Sequence, residues 1–334
     1  MPRAAVFAPS VGLPSGEVAH SRRRLLAAFG FAAVTVGACV LLARRFTGTT
    51  WPLEGAHMGL VCGAIALYFA SFVLRALGWQ KLFPASARPD RARCLAACGA
   101  AAASGAVLPF RLDYLVKIGM LRRMRGAKLG LEAIALSIIS LGLVDAIAFL
   151  PLSISATATT SSNFRIPLIF VVLFGVACCG ILVGGRHLVR VPFVARRARL
   201  SSLVGRVAEH PLASTREAIV AWCFLLGCWT ARALGSTLLL AALGVGFSPT
   251  LALVVLCLSA AAALLPVASG GAIANVSATA AILFALGVHQ NEAINFSLAS
   301  GLLLCGTAAA AAIVGVATSL AYGLRAHMHA RATT

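Results

Sequence analysis

Acidic residues are scarce in this chain: nine Asp and Glu stand against 28 Lys and Arg in 334 residues, and charged residues of both signs make up only 11%. A soluble domain carries about 25% charged residues and 45–50% apolar ones. Here 60% are hydrophobic, which excludes a single soluble core and points to a polytopic membrane protein. No Gly-rich nucleotide loop and no Walker lysine is present, so the chain offers no seat for ATP. The seven histidines are scattered and assemble no metal-ligand spacing, so no metal and no cofactor is implied. None of the ten cysteines forms a CxxC pair, and all lie in apolar segments. Cys94 and Cys98, one helical turn apart, read as small buried hydrophobes.

The excess of positive charge, +19 overall, would suggest nucleic acid in a soluble protein. In this sequence the bases cluster between hydrophobic segments, as cytoplasmic loops facing anionic headgroups do, and nucleic acid is excluded. Apolar runs of about 20 residues cross a bilayer core as helices. Six such runs occur, at 25–43, 57–75, 129–150, 166–184, 217–240 and 295–320. Two further apolar regions are interrupted, 92–121 at "LPFRLDY" and 249–288 at "LPVASGGA". The stretch "PLSISATATTSSNFR" (151–165) reads as an outer loop rich in Ser and Thr.

Arginine placement gives the orientation. Bases crowd the N-terminus, 75–93, 111–128, 186–216 and the tail, whereas 241–249 has no charge. The positive-inside rule then puts the N-terminus in the cytoplasm of an inner-membrane, multi-pass protein. Region 92–121 enters and leaves on the cytoplasmic side, and 249–288 on the outer side. The expected fold is an all-α membrane bundle with six full spans and two re-entrant hairpins, or eight spans. Arg44 and Arg45 are a misfit, since they fall outside.

An internal repeat accompanies this plan. "RALG" recurs at 75–78 and 232–235, and "LP" at 108–109 and 265–266, both 157 residues apart. With three full spans in each half, the halves would run in opposite directions, a recurrent transporter plan. The chain divides accordingly into a basic N-terminus (1–24), a first membrane repeat (25–150), a second (151–324) and a tail (325–334).

The combination "LRALGW…LPFRLDYLVKIGMLRR…LVDAIAFL…LPVASGGAIAN" resembles the flippase-like transmembrane region of the lysylphosphatidylglycerol synthase family, over about residues 25–320. Arg75 and Trp79 match the Arg and Trp that close that family's second span, and Pro109 and Arg111 match its Pro-x-Arg-x-Gly-Glu motif. Asp113 and Tyr114 stand where that motif has Gly-Glu, and Lys117 where an Arg follows. Asp145 matches the end of a Glu-Arg-x-x-Asp pattern whose first positions here are Leu141 and Gly142. Pro266, Gly270 and Gly271 match a late Pro-x-x-Pro-Gly-Gly motif, with Asn275 beside the position of a family Glu. The resemblance implies a protein that moves or handles lipid-linked substrates.

Several residues stand out on their own chemistry. Pro109 ends one helix, so the next begins near Arg111 with free N–H groups. That end, with Arg111, Asp113 and Lys117, suits a phosphate, or else is a basic loop resting on headgroups. Gly270 and Gly271 permit a tight turn at the matching break, by Asn275, or a plain helix–helix turn. Asp145 lies deep in a span, where a charge costs about 2.5–3.5 kcal/mol unless paired or hydrated. The nearest symmetric cation is Arg232, so both are expected to face one polar cleft. Otherwise Arg232 snorkels to the outer interface. Arg75 repeats the Arg232 position in the first half.

These features together predict a lipid-binding membrane protein that translocates an anionic phospholipid or polyprenyl-linked headgroup, a transporter rather than an enzyme. A membrane transferase acting on a lipid-linked donor, and a non-catalytic subunit of a lipid-modifying complex, are the alternatives. A homo-oligomer or a membrane partner is left open.

Overall fold

The structure, a computed structural model, describes residues 41, 44, 51–105, 113–124, 130–160, 162–188, 215–264 and 271–332. Among them there are nine α-helices and no strand. In chain order they are α1 (Met58–Lys81), α2 (Arg91–Gly105), α3 (Asp113–Arg123), α4 (Leu131–Thr159), α5 (Ser162–Leu188), α6 (Thr215–Ala242), α7 (Pro249–Leu264), α8 (Gly271–Ala285) and α9 (Gln290–Ala332). Five of them, α1, α4, α5, α6 and α9, are long and apolar enough to cross a membrane. The span expected at 25–43 lies, apart from Leu41, outside the described residues. The two interrupted regions are each a pair of short helices, α2–α3 and α7–α8.

The Ser/Thr stretch after residue 150 is not a loop. Helix α4 continues through Pro151 to Thr159, and α5 begins at Ser162. Proline costs one backbone hydrogen bond, but the hydroxyls satisfy themselves within the helix. Ser153 donates to the Leu150 carbonyl (2.9 Å), Thr157 to Ser153 (2.7 Å) and Thr160 to Ala156 (2.6 Å). Polar composition therefore does not break the helix, which outruns the run of hydrophobicity. Helices α6 and α8 end instead at glycines with left-handed φ, Gly244 (+80°) and Gly287 (+91°). Val245 N–H bonds back to Leu240, and Val288 N–H to Leu283, closing the last turns.

Helices α1–α4 begin at residues 58, 91, 113 and 131, and α6–α9 at 215, 249, 271 and 290, so corresponding starts are 157 to 159 residues apart. Packing repeats in the same register. Helix α2 lies on α9 as α7 lies on α4; α9 touches α1 as α4 touches α6; α1 meets α2 as α6 meets α7. Helices α1 and α6 pack on each other at the centre.

That central contact is antiparallel. Gly63 abuts Leu238, Gly235 abuts Tyr68, and Gly78 abuts Leu225, so residue numbers fall along α6 as they rise along α1. His57 N–H bonds to the Ala242 carbonyl at one end (2.9 Å), and Arg88 pairs with Glu217 at the other. Gly78 and Gly235, equivalent in the repeat, each receive the bulky residue of the opposite helix. Where α2 crosses α9 the backbones touch: a Cβ on Gly99 would lie 2.5 Å from the Ala308 oxygen. Small residues at such crossings give the close packing that holds membrane helices together.

Candidate functional site

Asp145 lies midway along α4, about 21 Å from either end at 1.5 Å per residue. Its carboxylate is fully engaged. Arg75 Nη2 donates to one oxygen at 2.6 Å, and Trp229 Nε1 donates to the other at 2.8 Å. The ion-pair partner of Asp145 is thus Arg75 of α1, not Arg232. Arg75 sits six residues inside the end of α1, because the helix runs on to Lys81. The side chains of the pair are 19% and 13% exposed, so α1, α4 and α6 converge on a charge pair within the bundle.

Arg232 lies over the same indole. Its guanidinium carbon is 5.3 Å from the centroids of both Trp229 and Phe72, and Nε donates to Ser71 Oγ at 3.3 Å. These groups hold its guanidinium at the α1–α6 contact. Arg75, for its part, stands 6.0 Å from the Trp229 centroid. Such cation–π contacts favour a guanidinium in a dry setting. Ser71 passes its own proton to the Tyr68 carbonyl (2.6 Å), and Tyr68 shares a hydrogen bond with Ser236 (3.1 Å). A small polar chain therefore runs beside Arg232 through the α1–α6 contact.

Lys117, on α3, is only 8% exposed. Its ammonium lies 5.5 Å from the ring centroids of Trp79 and Tyr114. It is within electrostatic reach of Arg75, Asp113 and Asp145. Trp79 is fully buried and fixed by a hydrogen bond to Ser137 Oγ (3.2 Å), so the floor under Lys117 is rigid. Asp113 opens α3, with its side chain close to Gly105.

The structure thus brings Arg75, Lys117, Asp145 and Arg232 into one region, with Asp113 at the start of the helix that carries Lys117. Arg111 and Gly270 lie outside the described residues. Gly271 opens α8, and Asn275 is on its second turn. Trp229, Ser71 and Tyr68 were not singled out by sequence reasoning. The signal for Trp229 was available: in "WTAR" it precedes Arg232 by three residues, which puts both on one helical face. Among the described residues no group of three or more His, Cys, Asp or Glu could hold a metal ion.

A helical bundle with five bilayer-length spans and a charged cluster in its middle is a multi-pass integral membrane protein. The family model for the lysylphosphatidylglycerol synthase TM region matches residues 32–312, and the chain belongs to that family. It is an integral membrane protein of a lipid-handling family. No curated protein and no solved structure matches the chain.

Proposed function

We propose that the protein binds the phosphate-bearing headgroup of an anionic or lipid-linked substrate in the middle of the bundle and carries it between leaflets. The observation that carries this reading is the charge imbalance of the cluster. Three cations, Arg75, Lys117 and Arg232, share one region with two carboxylates, Asp145 at the middle of α4 and Asp113 at the start of α3, so cations outnumber acids there among the described residues. A surplus of positive charge inside a bilayer is costly to keep, and a transient anion compensates it. Helices α3 and α8 each begin just after an interrupted region, at Asp113 and Gly271, and helix starts offer N–H donors that suit a phosphate.

The antiparallel α1–α6 contact and the repeated packing of α1–α4 and α6–α9 support an inverted repeat. In such a bundle, rocking of one half against the other opens the centre to each leaflet in turn while the acyl chains stay in lipid. The basic stretch that follows α1, with Lys81, Arg88, Arg91 and Arg93, then lies on the cytoplasmic side of the inner membrane, as does the N-terminus.

Reconstitution into liposomes tests this reading. A headgroup-labelled phosphatidylglycerol placed in both leaflets should become fully accessible to a membrane-impermeant quencher, without chemical change, only when the protein is present. Accessibility stuck at half would sink the reading. A chemically altered lipid would replace it with a membrane transferase.

A further inference from the structure

The 157-residue offset pairs Arg75 with Arg232, yet among the described residues only Arg75 has a carboxylate beside it. Starts of α4 and α9 are 159 residues apart, which maps Asp145 onto Leu304. Packing agrees with that register: the Phe149 and Trp229 rings are in tilted contact, centroids 4.5 Å apart, and Ala308, 159 residues on, shares a cluster with Phe72. Around Arg75 the aromatic neighbour is Trp229 and the anion is Asp145. Around Arg232 the equivalent aromatic neighbour is Phe72, and the position of the anion is held by leucine. No other acid can step in from this half, because the sequence has none between Glu217 and Glu292 and none after Glu292. Among the described residues Arg232 makes no ion pair, and Ser71 Oγ is its hydrogen-bond partner.

We infer that Arg232 is the seat of a phosphate group, which stands where Asp145 stands in the other half. The Nε–H is turned to Ser71, so the Nη donors are left for two phosphate oxygens, the fork geometry in which guanidinium binds phosphate best. One half of the bundle carries its own anion and the other borrows it from the ligand. This rests on the translocation reading for its setting, and it specifies which residue takes the headgroup phosphate.

Equilibrium binding to the purified full-length chain in detergent separates the two. Probes are a fluorescent short-chain phosphatidylglycerol, the matching phosphatidylcholine, and inorganic phosphate. Wild type should bind phosphatidylglycerol, and Arg232→Gln should weaken it about tenfold or more, as loss of a charged hydrogen-bond partner does. Leu304→Asp supplies the missing carboxylate internally and should abolish binding while raising the midpoint of thermal unfolding, which also shows that it folds. Displacement by millimolar inorganic phosphate assigns the seat to any phosphate; resistance to it assigns the seat to the lipid-borne group. Arg232→Gln binding as wild type does, or folded Leu304→Asp doing so, overturns the inference. Binding without transport in liposomes would sink translocation and leave the seat standing.

Discussion

Arg75 and Arg232 both lie over the Trp229 indole, 6.0 and 5.3 Å from its centroid, yet among the described residues only Arg75 is paired with a carboxylate. One tryptophan therefore serves both cations: its face meets each guanidinium and its N–H holds Asp145. Its removal should separate the two roles. Trp229→Phe keeps a ring for both arginines and deletes only the 2.8 Å hydrogen bond, at a cost of about 1.5–3 kcal/mol for a bond to a charged acceptor. Thermal unfolding of the purified protein reads this, and an unchanged midpoint would mean that the bond contributes nothing.

The Arg75–Asp145 pair is more demanding. Each partner is largely removed from solvent, so deleting either leaves an uncompensated charge. Such single deletions cost about 3–5 kcal/mol. Arg75→Met and Asp145→Leu are each expected to be severely destabilised, and the double variant to recover most of the loss, because an apolar pair needs no desolvation. A double variant as unstable as the worse single one would show that the pair is held for reasons other than its own neutrality.

The crossing of α2 and α9 depends on two absent side chains. A methyl on Gly99 would sit 2.5 Å from the Ala308 oxygen and the Ala312 nitrogen, and one on Gly315 2.5 Å from the Ala96 nitrogen. These are backbone atoms, which cannot swing aside, so the helices must part. Overpacking of this kind costs about 1–3 kcal/mol. Gly99→Ala and Gly315→Ala should each lower the unfolding midpoint, whereas Gly306→Ala, which meets nothing within 4 Å, should not.

Orientation is testable at two exposed loop positions. Ala85 lies beyond the end of α1, near the Arg88–Glu217 pair, and Phe247 lies in the α6–α7 turn at the other end of α6. In a chain with its native cysteines replaced, Ala85→Cys should react with an impermeant maleimide only in inverted vesicles. Phe247→Cys should react only in right-side-out ones. Labelling of both from one side would contradict the antiparallel path of α1 and α6 through the bilayer.

Much of this architecture was legible in the sequence, and the failures share a cause. Hydropathy found the five described spans and both interrupted regions, because lipid imposes its own length scale. It misplaced helix ends at 150–165, since Ser and Thr hide their polarity by bonding to the preceding turn. The repeat offset pairs Arg75 with Arg232, but depth alone could not tell which of the two meets Asp145. That depends on the azimuth of α4, which one apolar helix with residues of similar size all round does not reveal. Lys117 was noted as a base near a helix start. Its enclosure by Trp79 and Tyr114 comes from the packing of α3 against α1, a long-range fact with no local signature.

Lys117 gives the sharpest separation of stability from transport. Its ammonium is buried over two aromatic faces, and among the described residues no carboxylate lies within salt-bridge distance. Keeping a charge there works against folding, since its desolvation is only partly offset by the rings. Lys117→Met retains an unbranched stem of similar length and drops the charge. The variant should unfold at the same temperature as wild type or higher. If the cation exists to hold an anion, the same change should slow headgroup translocation several-fold in proteoliposomes. The loss should be specific to anionic lipid and persist at high salt, since a buried charge is screened far less than an exposed one. A Lys117→Met protein that is less stable, and equally fast, would make the lysine a structural element of α3 and remove it from the site.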